Sequence, residues 1–189
     1  MHIFITGEKG IGKSTLLKAV VEKAMKDEIE QKSKSYKKIT GFLTKRIWIE
    51  SEERFATFLL PVRGSYNNVD EPSEENKLFY CDDIDNIKKS KERFEILGVE
   101  ALSHINDGDI VLMDELGKIE SLATAFKQRV LDVLDGRLGC ANVYGVLQKC
   151  ESDFIKSISE RDDVKLINLT LENRDKIYRE MCEKSFDET

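Results

Sequence analysis

The chain predicts an α/β fold: one domain, a mostly parallel sheet, and helices on both faces. Three observations carry this. Short apolar runs, Ile3-Phe4-Ile5-Thr6, Asp109-Ile110-Val111-Leu112-Met113, Asn142 to Leu147 and Val164 to Leu169, read as buried parallel strands. Amphipathic stretches alternate with them, as βαβ units require. The 189 residues contain no repeat, low-complexity segment or dividing linker, which fits a single domain over 1–189.

The elements follow in order. After the first strand, residues 13–31 read as a helix, with Leu16, Leu17, Val20, Val21, Ala24 and Met25 at helical spacing. Lys32 to Lys38 is polar and basic and reads as an exposed turn. Ile39 to Glu50 and Arg54 to Arg63 read as two strands joined by a hairpin at Glu50-Ser51-Glu52-Glu53. Arg63 to Asn76, with Gly64, Asn67, Asn68, Pro72 and Ser73, is a loop. Leu78-Phe79-Tyr80 is a short strand, and Lys89 to Ile105 a helix stopped by Asn106-Asp107-Gly108. Helices over 121–135 and 151–161 flank the strand at 142–147, and a C-terminal helix runs from about Leu171.

Composition narrows the function classes. A formal charge of −6 with 35% charged residues describes a well-solvated protein and argues against a nucleic-acid footprint, which needs a basic face. No apolar run approaches the ~20 residues of a membrane span, and the apolar start is too short for a signal peptide; both point to the cytoplasm. Cys81, Cys140, Cys150 and Cys182 are scattered, and the only histidines are His2 and His104, so a zinc site is not expected and the thiols read as reduced.

The chemistry is concentrated near the N-terminus. Gly7-Glu8-Lys9-Gly10-Ile11-Gly12-Lys13-Ser14 matches the P-loop (Walker A) pattern G-x-x-x-x-G-K-[ST] at every fixed position. It lies between a predicted strand and a predicted helix, where the motif works. Backbone N–H groups of such a loop wrap a β-phosphate, its glycines allow close approach, and the helix dipole adds to the same attraction. Lys13 is placed to reach the β- and γ-phosphates and the Ser14 hydroxyl to ligate Mg²⁺, while Thr15 supports the loop or helix. A second half of the site is expected at Val111-Leu112-Met113-Asp114-Glu115, a Walker B segment. Asp114 would share the Mg²⁺ with Ser14 at the crevice beyond the strand ends, and Glu115 would polarise an attacking water.

With these residues in view, the chain resembles the THEP-type small nucleoside-triphosphatases. The resemblance rests on Ile5 to Thr15, on Asp114-Glu115-Leu116-Gly117-Lys118-Ile119-Glu120, and on Asp163-Val164-Lys165 through Leu169-Thr170-Leu171-Glu172-Asn173-Arg174, with Gly41-Phe42-Leu43-Thr44 beside them. It implies a RecA-like P-loop NTPase fold and slow, magnesium-dependent hydrolysis of several nucleoside triphosphates, ATP and GTP among them. Two glutamates usual after G-F-x-T are Lys45 and Arg46 here, which inverts the charge at one rim. The family's G-x-Y segment is not recognisable around Phe79-Tyr80, and Val146-Leu147-Gln148 replaces a Thr-Ile-Pro.

The remaining candidates are weighed singly. Lys118 and Glu120 belong either to the site or to a solvated turn. Arg161 is a surface arginine or a cation for the γ-phosphate, Trp48 is packing before it is base stacking, and Gln148 is a candidate to position water. Thr170 and Asn173 suit a cap of the last helix. Arg174 gains nothing from the helix dipole and is expected against the base or ribose, reading no base identity. The strand at 142–147 is expected between the P-loop strand and 109–114, the RecA-like order. The rival readings are a kinase passing the γ-phosphoryl group to a small acceptor and a nucleotide-dependent switch.

Overall fold

In a computed structural model the described residues are 1–30, 38–81, 86–118, 120–139 and 141–182. The basic turn at 32–38 therefore falls almost wholly outside them, as do Cys140 and Ile119.

The strands are β1 (His2–Gly7), β2 (Ile39–Ile49), β3 (Arg54–Pro61), β4 (Lys77–Tyr80), β5 (Ile110–Leu116), β6 (Asn142–Leu147) and β7 (Val164–Leu169). They form one seven-stranded sheet in the order β4-β3-β2-β5-β6-β1-β7. The five strands from β2 to β7 in that order are parallel, while β3 and β4 are added antiparallel at one edge. β6 separates β1 from β5, so the expected RecA-like order is found.

Period-two alternation explains why both faces are covered. Phe4, Phe42, Val111, Met113, Val143 and Leu147 enter one apolar cluster with Phe94, Phe126 and Ile158. Their strand neighbours Ile5, Leu43, Ile110, Leu112 and Val146 enter the other, with Leu16, Leu17, Val20 and Val21. Those last four lie on α1 (Lys13–Glu30), which meets β1, β6 and α6 (Arg174–Cys182) on its side. The opposite face carries α3 (Val99–Ala101), α4 (Thr124–Leu134) and α5 (Asp153–Ser159), while α2 (Asn86–Arg93) packs on β4 and leads into the stretch that carries Phe94. No helix among the described residues is long and apolar enough to cross a membrane.

Four elements differ from the periodicity reading. The helix expected over 89–105 starts at Asn86, loosens into a π-helical stretch at Phe94–Gly98, and ends at Ala101. The π stretch carries Glu95, whose Oε2 accepts from the Phe126 N–H at 3.0 Å, so a distant carboxylate serves the first turn of α4. That helix begins at Thr124, after a 3-10 turn at Glu120–Leu122, instead of at 121. β5 continues to Leu116, so Asp114 lies inside the strand rather than at its end, and Glu115 belongs to the strand as well. The helix expected over 151–161 is confined to Asp153–Ser159.

Candidate active site

The P-loop follows β1, and its first glycine is dictated by tertiary contact as well as by backbone angle. Gly7 has φ +147°, and a Cβ there would stand 2.3 Å from the carbonyl oxygen of Leu169 on β7. No other residue fits so tight an approach. Lys13 donates to the carbonyls of Gly7 (3.1 Å) and Glu8 (3.0 Å), drawing the ends of the loop together. Ser14 opens α1 on the side of β5, and its Oγ donates to Asp114 Oδ1 at 3.2 Å. A hydroxyl and a carboxylate so joined are the hard oxygen donors that suit Mg²⁺.

Asp114 is buried, with 6% of its surface exposed. Burial, reinforced by the Glu115 charge, pushes its carboxyl up to about 6 against the opposing pull of the Ser14 bond and Lys13. A cation beside it would reverse that shift, which fits a metal ligand.

Glu115 is held from two strands. Its N–H donates to Thr44 Oγ1 at 3.2 Å, and its Oε1 accepts from Gln148 Nε2 at 2.7 Å. Gln148 is anchored in turn by the Lys118 N–H, 3.4 Å from its Oε1. Thr44 reaches this position because β2 lies close against β5: at Gly41 a Cβ would fall 2.1 Å from the Leu112 carbonyl oxygen.

These groups line one cleft of about 540 Å³, with Gly7, Glu8, Lys9, Lys13, Ser14 and Asp114 on the loop side. Lys149, at the end of β6, pairs with Glu8 at 2.7 Å and holds that carboxyl below its ordinary value. A second crevice of about 410 Å³ runs from Gly7 to Ile11 towards Asn168, Leu169, Thr170, Leu171 and Glu172. Gly12 and Thr15 lie at the turn into α1, Thr15 exposed.

The segment after β7 is ordered by a reciprocal cap. Thr170 N–H donates to Asn173 Oδ1 at 2.8 Å, and Asn173 N–H to Thr170 Oγ1 at 3.3 Å, the capping-box arrangement with asparagine in the acidic position. Arg174 heads α6 with its side chain 49% exposed and its Nε 3.4 Å from Asp175.

Other sequence candidates are sorted by position. Glu120 is buried and lines the cleft, whereas the Lys118 side chain is exposed. Trp48 packs edge-on against Phe55, 4.9 Å between ring centroids. Arg161 is at the other end of the sheet, bonded to Asp163 (2.7 and 2.8 Å) and Asp135 (2.8 Å), so it does not serve the cleft. Thr44 and Lys149 were not singled out from the sequence. Thr44 had a signal in Gly41-Phe42-Leu43-Thr44; Lys149, 141 positions from Glu8, had none.

Known proteins resemble this chain in sequence and in fold. The NTPase family model matches residues 2–182. The nucleoside-triphosphatase THEP1 of Methanocaldococcus jannaschii is 30% identical over 190 residues, 97% of this chain and 96% of that protein. THEP1 of Thermotoga maritima is 26% identical over 187 residues, 96% and 93% of the two chains. The solution structure of a human cancer-related nucleoside triphosphatase superposes with a TM-score of 0.59 at 22% identity, covering 99% of each chain, a likeness of fold.

Proposed function

This chain belongs to the NTPase family, and on that premise we propose that it hydrolyses nucleoside 5′-triphosphates to diphosphate and phosphate, with Mg²⁺ and with tolerance for several bases. The observation that carries the reading is the Glu115–Gln148 pair, 2.7 Å long, in the cleft of the P-loop.

Each residue has a task. The loop amides and Lys13 bind the phosphates, and the Lys13 ammonium exchanges its carbonyl partners for phosphate oxygens. Ser14 and Asp114 would hold the Mg²⁺, which when bound would neutralise phosphate charge. Glu115, with one carboxylate oxygen held by Gln148, accepts a proton from the attacking water. The water oxygen bonds to the γ-phosphorus, the bond to the bridging oxygen breaks, and its electron pair leaves with the diphosphate. Arg174 packs on the base or ribose beyond the crevice at Asn168–Glu172. Stacking of that kind does not read base identity, which suits a tolerant enzyme.

The strand order supports hydrolysis over kinase chemistry, because β6 standing between β1 and β5 brings Gln148 beside Glu115. The decisive experiment is phosphate release from each common triphosphate, with Mg²⁺ or a chelator, with and without small acceptors. Release that needs Mg²⁺, needs no acceptor and disappears in Lys13→Ala is expected. A phosphorylated acceptor would make the chain a kinase, and wild-type turnover by Lys13→Ala would remove the loop from the site. Arg174→Ala should raise KM for ATP and GTP by similar factors with kcat little changed.

A further inference from the structure

β2 outruns the strand beside it. Its last pairing with β5 is Leu43 with Asp114, yet it continues to Ile49, paired from there on with β3 alone. The β2–β3 hairpin therefore overhangs the carboxyl end of the parallel strands, where the cleft opens. Thr44, the first overhanging residue, accepts the Glu115 N–H. Arg46 follows two residues on, so it falls on the same face, about 7 Å further along the strand. It lines the cleft together with Lys13, Ser14, Asp114 and Glu115.

The charge of Arg46 is not neutralised there. Lys13 is engaged by two carbonyls and Lys149 by the Glu8 carboxylate. The Arg46 guanidinium instead lies 4.4 Å over the Phe55 ring, and among the described residues no carboxylate pairs with it. A ring contact of this kind steadies the guanidinium while leaving its N–H edges able to meet an anion. The surrounding charge creates a need for such a cation. Asp114, Glu115 and Glu120 all line this cleft, and they oppose a γ-phosphate brought among them. Lys13 answers that repulsion from the loop side, and Arg46 is the cation on the β2 wall, beside Glu115.

We propose that Arg46 is a catalytic residue. Its guanidinium contacts the γ-phosphoryl oxygens and stabilises the charge that spreads over them as the bond to the bridging oxygen breaks, a cation supplied in cis. This rests on the hydrolytic reading above, and its test separates the two. Arg46→Ala, Arg46→Lys and Lys13→Ala are compared by steady-state phosphate release and by binding of ADP with and without aluminium fluoride, which mimics the γ-phosphoryl in flight. Arg46→Ala should lower kcat by ~10²-fold or more with KM changed only about 3-fold. It should weaken ADP–aluminium fluoride binding by a similar factor and leave ADP binding as it was. Arg46→Lys should recover part of the loss, because the charge returns without the planar fork. Wild-type kcat and wild-type aluminium fluoride affinity in Arg46→Ala, beside an inactive Lys13→Ala, would overturn the role of Arg46 and leave the hydrolytic reading standing. A rise in KM alone would make Arg46 a ground-state contact and equally overturn the proposal. A wild-type chain that releases no phosphate would overturn the hydrolytic reading and this role with it.

Discussion

The two ends of the parallel strands use the same residue types in opposite ways. At the amino end, Arg161 is held by Asp163 and Asp135, and the buried His2 sits between the Leu134 carbonyl and the Val143 N–H. At the carboxyl end, Arg46 lies over Phe55, and the buried carboxyl of Asp114 bonds one hydroxyl. The first end is closed by mutual satisfaction, and the second converges on a cleft. What separates a charge closed into the scaffold from one open to the cleft is therefore the partner, not the residue.

The contrast extends to pH, with opposite signs. Burial pushes His2 below its ordinary 6.5, and the Arg161 bonds hold Asp163 below its ordinary 3.8. Both contributions to stability are present above those values and are lost as pH falls. Asp114 is raised from 3.8 to about 6, so its contribution is full below about 3.8 and is lost as pH rises through 6. At neutral pH the site carries an ionised carboxylate at a cost to folding, as expected where stability yields to function.

The largest expected effect breaks the functional end alone. Glu115→Gln should keep triphosphate binding and lower kcat by ~10²-fold or more, with an unchanged melting temperature; full turnover would move the water to another residue, Gln148 first. Asp114→Asn should cut the Mg²⁺ dependence and, at pH 7.5 without ligand, stabilise the fold by on the order of 1–3 kcal/mol. Denaturant melts at pH 7.5 and pH 4.5 test this, since the gain should shrink at the lower pH, where the folded Asp114 takes up its proton. A variant less stable at pH 7.5 would show that ionised Asp114 supports the fold.

Arg161→Ala should do the reverse: a loss of about 1–2 kcal/mol, roughly 2–8 °C in Tm, with kcat and KM unchanged. A tenfold fall in kcat would tie the amino end to the reaction. The smallest effect belongs to His2→Gln, whose side chain does not take up a proton. Its stability should rise between pH 5 and pH 7 less steeply than the wild type's, because the buried imidazole of His2 is held below its ordinary value. An identical slope would assign that rise to other groups.

What was legible in the sequence was local. The P-loop from Gly7 to Ser14 is a run of eight consecutive residues, so its whole pattern can be read within one segment. The Thr170–Asn173 cap closes over three residues, and the buried strands announce themselves by continuous apolar runs with both faces covered. Asp114-Glu115 was legible as an acidic pair closing the apolar run Val111-Leu112-Met113, and the resemblance to a family carried the order of β6 between β1 and β5.

Only the tertiary structure decided which charges meet. Glu115 joins Thr44 across 71 positions and Gln148 across 33, and Ser14 joins Asp114 across 100. The same two readings, surface charge or phosphate cation, were open for Arg161; the fold ties it to Asp135 and Asp163 at the amino end, while Arg46 reaches the cleft on an overhanging strand. Pattern within a chain reports the period and burial of its own segment. A side chain's partner depends on register and strand order, which are set when the whole sheet closes.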